Sequence, residues 1–162
     1  MKQMLNSYKQ QSGFTLIESM LTLFILTIGI LGIAGLQMQG MRSANLAVQK
    51  MAVTVKTQDL IDRMRGNAET PADVELYATV VAANNSCNSG TICSKSQMAA
   101  HDKQMWESDL NGALPGTPTK TITTENVLDP DDNTVIVSKR ITIVVNWTDR
   151  GDGHTYTVRT QL

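Results

Sequence analysis

The stretch Gly13-Phe14-Thr15-Leu16-Ile17-Glu18 runs directly into SMLTLFILTIGILGIAGLQMQGM, residues 19–41. No Asp, Glu, Lys or Arg occurs between Ser19 and Met41. A hydrocarbon core needs roughly 20 apolar residues in a helix, and this run is long enough. A secretory signal peptide would have a shorter apolar region ending in a small-x-small site, which is not found here. A buried core helix that is oily on all faces does not suit so small a chain. A simple membrane anchor fits the run but leaves Glu18 unexplained, because an ionised carboxylate at the edge of hydrocarbon must find a partner. Cleavage between Gly13 and Phe14 would supply one. The new α-amine at i and the carboxylate at i+4 lie on one helix face, and the amine could belong to the same subunit or to a neighbour in a stack.

Lys2 and Lys9 precede the run and favour a cytoplasmic N-terminus with an exported C-terminal part. Toward the C-terminus the composition changes. The 162-residue chain is 41% apolar and 18% charged, but everything past Met41 is rich in Thr, Asn and Asp. The sequence therefore combines an oily rod with a polar globular remainder, one modest domain plus an extra element. A net charge of −1 gives no basic field for nucleic acid.

With no proline before Pro71, helix is expected from Phe14 to about Arg65, roughly 52 residues and about 78 Å. Ala44, Val48, Met51 and Val55 fall at 4-3-4 spacing, the stripe of an amphipathic helix, and Val53, Leu60, Ile61 and Met64 widen it. This stripe is expected to pack on the chain's own globular domain, with Gly66-Asn67 as the stop. Gly29, Gly32 and Gly35 permit close helix packing and also weaken the helix, with packing as the expected main role.

Residues 67–95 read as a connecting loop opened by Pro71, with turns at Asn84-Asn85-Ser86 and Asn88-Ser89-Gly90. Residues 96–112 read as a second helix capped by Ser96, with Met98, Met105, Trp106 and Leu110 inward. Thr119–Thr124, Val135–Trp147 and His154–Gln161 read as strands, separated by turns at Asp129–Asn133 and Asp149–Gly153. The expected fold class is α+β. A long N-terminal helix, membrane-spanning in its first half, packs against a C-terminal antiparallel meander, with a short second helix. The expected divisions are 1–13, 14–41, 42–66, 67–95 and 96–162.

The string from Gly13 to Glu18, beside its apolar run, resembles the type IV prepilins with their class III leader. The resemblance implies a leader over 1–13, cut by prepilin peptidase after Gly13, and N-methylation of Phe14. It implies that Glu18 aligns the subunit against the Phe14 amine of another during assembly. It further implies a single-pass inner-membrane protein with a periplasmic domain that later enters a pilus. The implied partners are other minor pilins, the major pilin and the inner-membrane assembly machinery. Several features are similar to the PilV class of minor pilins: Gly29-x-x-Gly32-x-Ala34-Gly35-Leu36-Gln37, Arg63-Met-Arg65-Gly-Asn67, Trp106 ahead of Ala113-Leu114-Pro115-Gly116, and Val145-Asn-Trp147. A minor pseudopilin of a type II secretion system, and a tip adhesin or DNA-uptake component, are the alternatives.

In an exported domain, Cys87 and Cys93 are candidates for a disulfide. Without nearby His they cannot fill a structural zinc shell, so neither metal nor cofactor is expected. His101 and His154 lack a nucleophile context and read as polar surface or helix positions, and no catalytic residue is expected. The acidic clusters at 129–133 and 149–152 read as turns rather than calcium loops.

Overall fold

A computed structural model of the chain describes residues 13, 15–83, 87 and 92–162. In chain order it contains α1 (Leu16–Asn67), α2 (Pro71–Thr79), α3 (Lys95–Ala113), β1 (Thr119–Leu128), β2 (Ile136–Asp149) and β3 (Asp152–Gln161). The chain divides into two compact units, one ending at Asn45 and one running from Leu46 to Leu162. Residues 1–12 of the expected leader, Phe14 and the two Asn-rich turns of the Cys loop lie outside the described residues.

In the first unit the helix has no internal packing, and none of its most apolar window is buried. Two of its threonine hydroxyls are satisfied within the helix. Thr22 Oγ1 donates to the Ser19 carbonyl at 2.9 Å, and Thr27 Oγ1 to the Phe24 carbonyl at 2.8 Å. Back-bonding of this kind lets threonine sit in an apolar helix without an unpaired polar group.

The second unit has an α+β construction around one core. Val53, Thr57, Leu60, Ile61 and Met64 of α1 are buried. With them are Val74 and Tyr77 from α2, Trp106 and Leu110 from α3, and Ile122, Ile141, Ile143, Val145 and Trp147 from the sheet. The sheet is an antiparallel meander in the order β1-β2-β3. Strand alternation places Ile141, Ile143, Val145 and Trp147 inward. Ile122 pairs with Ile143 from one side, and Val158 and Tyr156 pair with Ile143 and Val145 from the other. The β2–β3 turn needs only Arg150 and Gly151, both left-handed (φ 54° and 95°), as a two-residue type I′ hairpin requires.

The structure corrects four expectations. The stripe of Val48, Met51 and Val55 is turned away from the domain, with 68%, 69% and 55% of each residue exposed. The buried face centres on Val53 instead. Two residues along a helix is a rotation of about 200°, so Met51 and Val53 point to opposite sides. Residues 67–95 are not simply a loop, because α2 forms there. Thr70 caps it by accepting from the Asp73 amide, the Asp73 carboxylate accepts from the Thr70 amide, and Pro71 occupies the first turn, where a missing N–H costs nothing. The cap of α3 is Ser94 rather than Ser96, in a capping box with Gln97. On α3, Met105, expected inward, is exposed.

Candidate functional site

At the start of α1, the Thr15 carbonyl accepts from the amides of Glu18 at 3.1 Å and Ser19 at 3.2 Å. Glu18 thus stands in the first helical turn, where the helix macrodipole favours a negative charge. It is exposed, as are Leu16 and Ile17 beside it. Gly13 is also exposed, and a Cβ placed on it would meet nothing within 4 Å. Nothing described in the chain therefore requires glycine at that position. Phe14 lies outside the described residues, so the geometry between its amine and Glu18 is not observed.

Beyond Glu18, large apolar side chains project on every side: Leu21, Phe24, Ile25, Ile28, Leu31 and Leu36 are all exposed. Covering a side chain of this size is worth about 1.5–3 kcal/mol. A contiguous surface this large is covered by lipid or by other helices and does not persist in water. Gly29, Gly32, Gly35 and Gly40 likewise have open space where a Cβ would be.

Polar contacts tie the Leu46–Asn67 part of α1 to the rest of its unit. Trp147 Nε1 donates to Gln49 Oε1 at 2.8 Å, and Gln49 Nε2 donates to Asp149 Oδ2 at 3.1 Å. The β2–β3 hairpin is thereby latched to the helix, and His154 packs against Trp147 with ring centroids 5.4 Å apart. Lys56 pairs with Asp109 at 2.7 Å. Around Asp102, a buried carboxylate, three helices meet. Its Oδ2 accepts from the Tyr77 hydroxyl at 2.8 Å, and its Oδ1 faces Arg63 Nη1 at 3.4 Å. Asn67 Nδ2 reaches Tyr77 Oη at 3.2 Å and the Lys95 carbonyl at 3.1 Å. Burial, and then the hydrogen bond to Asp102, push the Tyr77 hydroxyl above the ordinary phenol range. At the start of α2, the Lys95 ammonium 2.8 Å away holds the Asp73 carboxyl well below the usual carboxylate range.

Cys87 and Cys93 are joined, with Sγ–Sγ 2.05 Å and Cα–Cα 5.9 Å. No group of three or more His, Cys, Asp or Glu side chains able to hold a metal occurs among the described residues. Gln49 and Asp102 were not singled out from sequence. Their partners lie between 25 and 100 positions away, and no local pattern marks them.

Two family models match the chain. The prokaryotic N-terminal methylation motif covers residues 8–34. The Tt1218-like family, described as type IV pilin Tt1218, covers residues 35–104. No curated protein and no solved structure matches the chain.

Proposed function

Starting from a type IV pilin-like chain, a pilin or pseudopilin, we propose that it is a minor pilin of a bacterial type IV pilus, contributing to pilus assembly and through it to adhesion or twitching motility. The observation that carries the reading is the string Gly13–Glu18 placed immediately before a charge-free helix with no internal packing. Prepilin peptidase cuts after Gly13 and N-methylates Phe14. The helix first lies in the inner membrane, with the second unit in the periplasm. It then exchanges lipid for the helices of other pilins. Both environments satisfy the same apolar surface, so the transfer does not expose it to water.

Glu18 sets the register of that exchange. In an apolar surround its carboxylate needs a cation, and the methylated amine of Phe14 in a neighbouring subunit supplies one at the matching depth. The chain's role is structural: it is a substrate of the peptidase and itself catalyses nothing. The similarity to the PilV class rests on the Gly29–Gln37 run, on the string from Arg63 to Asn67, whose two end residues join α1 to α2 and α3, and on the Trp106 and Trp147 regions. Deleting the gene tests the reading. Loss of twitching with secretion intact is the expected result. Loss of type II secretion with twitching intact would reassign the chain as a minor pseudopilin.

A further inference from the structure

The outward face of the sheet is built almost entirely from hydroxyl and amide side chains: Thr121, Thr123, Thr142, Asn146, Thr155 and Thr157 all lie on it by strand register. Among its described residues only Glu125, Arg140 and Arg159 are charged, and they gather at one end. Arg159 pairs in register with Thr142, Arg140 with Glu125, and Thr123 with Thr142, so the five side chains form one patch across all three strands. They line a depression of about 510 Å³, and both arginines also line a second of about 260 Å³ beside Gln161.

Two like charges held on neighbouring strands are unfavourable unless something between them compensates. Glu125 does so only weakly, at 3.7 Å from Arg140 and with both side chains more than half exposed. Arg159 has no ion-pair partner among the described residues. The patch therefore carries one uncompensated guanidinium, a second loosely held, and a carboxylate and two threonines as hydrogen-bonding neighbours.

We propose that this patch binds a carboxylate-bearing sugar chain. A guanidinium takes a carboxylate in a two-point hydrogen bond. Glu125 and the threonine hydroxyls then meet the ring hydroxyls that flank a sugar acid. A nucleic-acid backbone fits less well, because the face carries no aromatic ring for base stacking, and two cations give little counterion release. The proposal does not depend on how the chain assembles.

The test uses the full chain in detergent micelles, titrated with galacturonic acid oligomers, the same oligomers methyl-esterified, and a DNA duplex. Saturable binding of the acid oligomers is expected, reduced about tenfold in Arg159→Ala and in Arg140→Ala, each a loss of about 1.4 kcal/mol. Arg159→Lys retains part of it, and Arg150→Ala at the β2–β3 turn binds like the parent. Variants are compared at equal thermal midpoints, which separates lost binding from lost folding. The proposal is overturned by absence of saturable binding, by equal binding of the methyl esters, by indifference to Arg159→Ala, or by DNA binding with the same arginine dependence.

Discussion

Glu18 and Asp102 are both carboxylates whose surroundings demand a partner, but the partners come from different places. For Asp102 they are within the fold, Tyr77 and Arg63. Asp102→Ala strips the buried Tyr77 hydroxyl of its acceptor, and a hydrogen bond to a charged group is worth about 1.5–3 kcal/mol. Urea unfolding should report a loss in that range, and a change under about 0.5 kcal/mol would show that the cluster is not a tie. Tyr77 gives the same cluster a pH signature. Its pKa is raised in the folded state, so its contribution is complete below the unfolded tyrosine value near 10 and is lost as pH rises through the folded value. In an ultraviolet titration one tyrosine should therefore ionise late, and Tyr77→Phe should remove that late step. For Glu18 the proposed cation is the Phe14 amine of another subunit. Glu18→Ala is expected to leave cleavage after Gly13 intact and to reduce incorporation into pili. Recovery of the variant in sheared pili at parental level would contradict that role.

Among the elements, α1 was legible in its extent and not in its orientation. An absence of proline and a run of apolar residues mark a long helix whatever surrounds it. Within Ala44–Met64, however, two apolar faces exist, and periodicity alone does not say which one the domain covers. The choice is made by the Trp147–Gln49–Asp149 latch, whose partners lie about 100 positions away, and by the core that Val53 and Leu60 share with the sheet. The difference can be measured. Leu60→Ala should cost about 2–5 kcal/mol, as for other buried leucines, whereas Val48→Ala and Met51→Ala should stay within about 0.5 kcal/mol. Comparable losses at Leu60 and Met51 would show that the burial has been misassigned. The helix α2 was hidden for another reason. Pro71 reads as a breaker unless Thr70 and Asp73 are taken with it as a capping box, and that signal was present in the sequence. The strands were read more fully, because alternation at Ile141, Ile143 and Val145 is decided locally.

For the molecule as a whole, the two units answer different physical needs. Residues 46–162 bury a core and tie it together with polar contacts such as Asp102–Tyr77 and Trp147–Gln49. The helix of the first unit buries none of its most apolar stretch, and in the proposed account its apolar surface finds cover in lipid or in other helices. The motif at its start was readable because its chemistry is packed into six consecutive residues. The groove on the outer sheet was not, because register brings Glu125, Arg140 and Arg159 together from three strands. Mass spectrometry of the mature N-terminus from pilus-bearing cells tests the account at its root. A polypeptide beginning with N-methylated Phe14 is the predicted result. A chain that still begins at Met1 would leave Glu18 without its cation and contradict the assignment.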